Sequence, residues 1–340
     1  MSLLTRGSPD QLTGGYLYHR RIAALAQAGG DRVEFIPVRW VASPYATATG
    51  DVVLVDSIAA GAVALWGRPS QPLAAIIHQP PGGIDRPRPQ RAVQAALDRK
   101  LYRQCELLLV ASEALREELS APPHRLPADL IRVVAPGCDV ASPGHGPAAD
   151  LRCGRRAAFV SVGNWMARKG TLELLAAFSN LADDRATLHL AGRDDVEPRY
   201  ARRVRARIAA PDLVGRIVYH GPLTSEQVAA LYAGADAFVL ASYREPYGTV
   251  YGEALAAGLP VVGWQAGNLP NLATDGVEGV IVPAGDVVGL AEGLDRLATD
   301  VAWRNALAAA AARRGARLPT WSDAAAGVFG SLRELLSDAR

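Results

Sequence analysis

At 340 residues the chain outgrows a single hydrophobic core, so two domains are expected. An apolar fraction of 49% beside a charged fraction of 21% describes an ordinary globular protein, and a net charge of +2 gives no electrostatic reason for a nucleic-acid partner. Cys105, Cys138 and Cys153 are odd in number and form no C-x-x-C pair, which argues against a disulfide framework or zinc site and suits a reducing, cytoplasmic setting.

Apolar strand-like runs alternate with alanine-rich helical patterns. Residues 1–5 leave room for a first strand, short for a central one. Further strands are expected at 33–38, 52–55, 73–77, 107–110 and 131–134, with helices at 16–28, 60–66, 89–103 and 113–119. Between 141 and 153 the composition turns to Ser, Pro and Gly, which is linker chemistry. The pattern then restarts. Strands are expected at 158–162, 187–191, 217–219, 237–240, 261–263 and 280–282, and helices at 171–181, 198–209, 225–232, 249–257 and 287–298. Alternation of this kind means parallel sheets covered on both faces.

The expected organisation is thus an α/β protein with a first doubly wound domain over 1–150 and a second over 151–318. A final amphipathic helix, within 319–340, is expected to pack across the junction. Ligands in such sheets bind outside the carboxyl ends of the strands. No run of about 18 apolar residues is present, so no spanning helix is expected. The basic cluster Arg86, Arg88, Arg91, Arg99, Lys100 and Arg103 leaves peripheral contact with a membrane surface or an anionic acceptor open.

The most informative string runs from Glu245 to Val262, with a loop carrying Glu245, a helix carrying Glu253 and a glycine stop at Gly258. Spacing alone would leave each glutamate an ordinary surface or cap charge. Ala254, Leu255, Ala256 and Ala257 make the helix a buried one, and a carboxylate there needs a partner or a ligand. The start of that helix, at Gly248, Thr249 and Val250, suits a phosphate.

Gly163–Gly170 follows the first strand of the second domain and ends on Arg168, Lys169 and a glycine. Its spacing is not that of a Walker A loop, but a cation there can neutralise a diphosphate. Gly14 and Gly15 open a helix that can likewise approach an anion. His78 ends an apolar run and enters a Pro/Gly loop, which points it to the strand ends; His19, His124, His145, His189 and His220 lack that setting. No metal-ligand box and no nucleophile elbow is found.

Taken in order, these motifs resemble the family 4 retaining glycosyltransferases, whose fold is GT-B: two Rossmann-like domains facing a central cleft. The family's E-x(7)-E element matches Glu245 to Val261, with Tyr247 where Phe is usual. Pro136-Gly137-Cys138-Asp139 resembles its P-G-V-D turn, Val110-Ala111-Ser112 its strand-end serine, and Leu190-Ala191-Gly192 its strand-to-glycine turn.

The resemblance implies transfer of a hexose, without a metal or other cofactor, from a UDP- or GDP-linked sugar to an acceptor sugar, glycan, lipid or small molecule. Glu253 would hold the ribose hydroxyls and Glu245 the donor hexose. Lys169 would sit on the diphosphate with amides of Gly15 and of Gly248–Val250. His78 would line the donor-sugar pocket, and Gly221-Pro222-Leu223 would meet the base. Where the family commonly has an arginine, this chain has Asn164, which leaves two alternatives: Arg168 takes over the phosphate contact, or the site carries less positive charge. The alternative reading is a nucleotide-sugar-binding or regulatory protein of the same fold that has lost turnover. A nicotinamide enzyme is disfavoured by the lack of G-x-G-x-x-G after a strand.

Overall fold

The computed structural model describes residues 1–6, 14–38, 43–85, 87–138 and 150–338. Asp139, Arg86, His145, residues 39–42 of the loop after the second strand and most of the expected linker lie outside them. By its contacts the chain divides into two units: Met1–Gly137 with Pro319–Arg340, and Cys138–Leu318. The break thus falls at residue 137, not 150, and the last helix counts with the first unit because its apolar face is buried there.

In the first unit the chain runs β1 (Ser2–Thr5), α1 (Gly14–Ala26), β2 (Glu34–Pro37), β3 (Val53–Asp56), α2 (Ala60–Val63), β4 (Leu73–Ile77), α3 (Arg88–Tyr102), β5 (Leu107–Val110), α4 (Glu113–Ser120) and β6 (Ile131–Val133). The strands form one parallel sheet in the order β2-β1-β3-β4-β5-β6. Short as it is, β1 is fully buried and pairs on both sides, Leu3 with Phe35 and with Leu54.

Side chains alternate across the sheet. Leu4, Val53, Val55, Leu73, Ala75 and Ile77 therefore join one apolar cluster with α2 and α4, while Leu3, Leu54, Ala74 and Ile76 join another with α1. Into this second cluster the last helix, Trp321–Asp338, sends Ala324, Ala325, Val328, Phe329 and Leu332. Each fully buried leucine or phenylalanine contributes about 1.5–3 kcal/mol. Ser112, matched above as a strand-end serine, caps α4 by accepting the Leu115 amide at 3.1 Å.

The second unit runs β7 (Ala157–Val162), α5 (Thr171–Ser179), β8 (Ala186–Ala191), α6 (Pro198–Ile208), β9 (Ile217–Tyr219), α7 (Ser225–Gly234), β10 (Ala237–Leu240), α8 (Thr249–Ala256), β11 (Val261–Trp264), α9 (Leu269–Leu272), β12 (Gly279–Val282), α10 (Val287–Thr299) and α11 (Val301–Gly315); the last helix is then α12. Its parallel sheet has the order β12-β11-β10-β7-β8-β9, and again an apolar cluster covers each face.

Helix α11 has no counterpart among the predicted elements. It is alanine-rich around its whole circumference, so it carries little periodicity, yet Asp300 caps it through the Trp303 amide at 2.9 Å. No helix among the described residues is long and apolar enough to cross a membrane.

Candidate functional site

In a doubly wound sheet the chain turns opposite ways on either side of a switch point, and the loops there diverge to leave a crevice. In the second unit that point lies between β7 and β10, which are adjacent. The β7–α5 loop carries Arg168 and Lys169, and the β10–α8 loop carries Glu245.

Lys169 Nζ lies 2.5 Å and Arg168 Nη1 3.2 Å from the same Glu245 oxygen, Oε1. The Ser242 hydroxyl is 3.0 Å from that oxygen and 3.1 Å from the Arg168 carbonyl. Glu245 is only 8% exposed, and a carboxylate so buried is held by its paired cations.

Two backbone conditions shape this cluster. Gly170 follows the lysine at φ +66°, and a Cβ there would lie 1.9 Å from the Ala241 carbonyl oxygen; only glycine lets the two loops approach this closely. Gly248, at φ +82°, stands at the N-cap of α8 and gives it no side-chain cap. The start of α8 therefore presents amide groups and the positive end of its dipole, a setting that attracts anions.

Asn268 holds the acidic loop from behind. Its backbone amide donates to the Glu245 carbonyl at 2.9 Å and its side chain to the Tyr247 carbonyl at 3.0 Å. Neither Ser242 nor Asn268 was visible as a site residue. Each works through hydrogen bonds to loops fixed by the fold, which leaves no motif.

The other expected donor residues of this unit fall on the same loops or next to them. Tyr247 is buried, Thr249 is exposed and Val250 is half-buried on the first turn of α8. Glu253, half-buried on the second turn, lies close enough to the buried Tyr232 phenol to add to the effect of burial, which raises that group well above its ordinary value. Asn164 is exposed, and its side-chain oxygen accepts the Arg193 amide at 3.0 Å, tying the β7–α5 loop to the β8–α6 loop. Arg168, not residue 164, is the cation beside Lys169. Leu223 packs partly against the apolar cluster of α7 and α8.

In the first unit Gly14 and Gly15 open α1, and a Cβ on Gly15 would lie 3.7 Å from the His78 ring, so helix start and histidine are neighbours. The His78 ring packs against Tyr18, with centroids 4.8 Å apart, and against His19 at 5.0 Å. Its Nε2 is buried and has no hydrogen-bond partner. Burial, and next the charge of His19, hold its pKa down at about 4, against an opposing pull from Asp56.

His19 itself, set aside in the sequence, bonds through Nε2 to Asp56 Oδ2 at 2.9 Å. Although no ligand box is legible in the sequence, His19, Asp56 and His78 bring ligand-type atoms within 4.8 Å of one another.

Two doubly wound units of this kind define the GT-B architecture. The chain superposes over 99% of its length on 99% of sucrose-phosphate synthase from Thermosynechococcus elongatus, with a TM-score of 0.85 at 20% identity. It also superposes on Anabaena HepE in complex with UDP-glucose, with a TM-score of 0.80 at 18% identity, covering 98% of this chain and 99% of that one.

Residues 156–300 match the family described as Glycosyl transferases group 1. Curated relatives include the D-inositol 3-phosphate glycosyltransferases of Frankia alni, 38% identical over 40% of this chain, and of Xylanimonas cellulosilytica, 30% identical over 66% of it. These matches span 33% and 57% of the two relatives' own lengths.

Proposed function

We propose that the protein is a family 4 retaining glycosyltransferase that moves a hexose from a UDP- or GDP-linked sugar to an acceptor hydroxyl without a metal ion. The observation that carries this reading is the pair of cations, Lys169 and Arg168, held against Glu245 at the switch point. It gains support from the family match of residues 156–300 and from the UDP and UDP-glucose complexes of the HepE fold neighbour.

Breaking the bond between the anomeric carbon and the phosphate oxygen leaves the electron pair on the diphosphate and positive charge on the sugar. Lys169, Arg168 and the uncapped start of α8 stabilise the anion with charges and dipoles already in place. As the diphosphate takes over the two cations, the Glu245 carboxylate is released to face the sugar. Glu253 holds the ribose hydroxyls. The acceptor oxygen attacks the face the leaving group departs from, and its proton passes to the departing phosphate oxygen. The first unit takes the acceptor, and His78 supplies a hydrogen bond to the substrate.

A thermal-shift screen over UDP-, GDP- and ADP-sugars tests the donor, since a ligand that binds only the folded state raises the melting temperature. Nucleoside diphosphate release and NMR of the product anomer follow. The expected result is one preferred donor and a product with the donor's anomeric configuration. Stabilisation without release from any acceptor class would favour the binding-protein reading, and an inverted product would overturn retention.

A further inference from the structure

The first unit contains a buried carboxylate that no step above uses. Asp56, at the end of β3, is 2% exposed. Its Oδ2 accepts from His19 Nε2 at 2.9 Å and from the Thr5 hydroxyl at 3.2 Å, and its Oδ1 from the Ser57 hydroxyl and the Ile58 amide, both at 3.2 Å. Groups from β1, α1 and the β3–α2 turn thus fix the carboxylate, and the carboxylate fixes the His19 ring.

Beside it stands His78, whose Nε2 is buried without a partner. Leaving such a group unsatisfied is costly, and a ligand that completes the bond removes that cost. The His78 backbone amide reaches the Ser57 hydroxyl at 3.4 Å, so the same turn that holds Asp56 also anchors His78.

We infer that Asp56 and His19 form a positioning pair that fixes the His78 ring and reserves its Nε2 for a hydroxyl of the substrate. The inference rests on the role given to His78 in the proposed reaction. Its physical logic is a matter of charge. A bare Asp56 anion would draw a proton onto His78 and turn a neutral hydrogen-bonding group into a cation, which opposes the positive charge developing on the sugar. His19 absorbs that field.

The titratable groups at His78 are Asp56 from β3 and His19 and Tyr18 from α1, while Tyr102 of α3 senses Asp56. Burial pushes the Asp56 carboxyl up, but the charge and hydrogen bond of His19, with the charge of His78 and the Ile58 amide, together outweigh it, and the net direction is down. Asp56 therefore stays a carboxylate while His78 stays neutral.

The test is an NMR pH titration of the histidine rings in the intact chain, with kcat/KM measured in parallel. Wild-type His78 should stay neutral down to about pH 4. In His19→Phe its midpoint should rise by at least about one pH unit toward the ordinary value. At pH values a unit or more below the raised midpoint, kcat/KM should then fall up to roughly tenfold relative to wild type at the same pH, about the worth of one hydrogen bond.

His19→Gln keeps a donor for Asp56 and should stay closer to wild type than His19→Phe. Asp56→Asn removes the anion and should leave His78 neutral to at least as low a pH, which keeps the idea testable if the phenylalanine variant does not fold. An unchanged His78 midpoint in a folded His19→Phe protein would overturn the inference. So would stoichiometric uptake of Zn2+ by wild type that His19→Gln and His78→Gln abolish. If wild type turns over no nucleotide-sugar, the proposed function fails, and the titration still decides the positioning role.

Discussion

Replacing Lys169 by alanine separates catalysis from stability. The Lys169–Glu245 contact of 2.5 Å is nearly dry, with side chains 12% and 11% exposed. Breaking a buried pair of this kind costs about 3–5 kcal/mol when the remaining charge is abandoned. Here it is not abandoned, because Arg168 at 3.2 Å and the Ser242 hydroxyl at 3.0 Å still hold the same oxygen. The expected loss of stability is therefore only about 1–2 kcal/mol.

Catalysis has no such reserve, since the reaction loses a preorganised cation at the leaving group, worth about 3–4 kcal/mol or 10²–10³ in kcat. Urea unfolding and nucleoside diphosphate release, measured on one preparation, read the two effects separately. A folded Lys169→Ala protein that keeps kcat within about threefold of wild type would refute the reasoning. A stability loss above about 4 kcal/mol would show that the lysine serves the fold instead.

Acid should destabilise the protein in a defined window. His78 has a folded pKa of about 4 against an ordinary 6.5, so between these values the unfolded chain binds more protons. The stabilisation is full above pH 6.5 and is lost as pH falls toward 4, about 2–4 kcal/mol in all. Denaturant melts across pH 4–7 should show it, and His78→Gln should flatten that limb. Gly170→Ala meets both a positive φ and the Ala241 carbonyl and should lower the melting temperature by 10 °C or more, roughly the effect of several kcal/mol. Asn268→Ala removes the hydrogen bond that its side chain donates to the buried Tyr247 carbonyl and should cost about 1 kcal/mol. It should also raise KM for the donor, and a variant with wild-type KM would separate Asn268 from the site.

The positions of strands and helices along the chain were legible because apolar runs and alanine-rich segments alternate with few exceptions. One exception is the four-residue α9; the longer one, α11, is an alanine-rich helix whose pattern carries no face. The site was legible in its parts. Glu245 and Lys169 were read as contacts to different portions of one ligand, but no sequence spacing reveals that the β7 and β10 loops bring them within 2.5 Å. His19 was passed over for lack of a strand-end setting, and its partner Asp56 lies 37 positions away. Such pairings depend on which strands are neighbours, and that is settled by the whole sheet.

Helix α12 carries a consequence for how the protein is made. Its buried residues complete an apolar cluster whose other members, such as Leu3, Tyr18, Ile22 and Leu54, are among the earliest synthesised. All of Cys138–Leu318 separates the two parts in the chain, a delay of about 10–40 s at ordinary rates of synthesis. During that interval one face of the first sheet lacks part of its cover, with α1 there but α12 not yet made, whereas every strand and helix of the second unit follows without interruption. On the ribosome the second unit can therefore reach its final packing before the first, reversing the order of their synthesis. A nascent chain stalled before α12 should expose this face to chaperones and proteases.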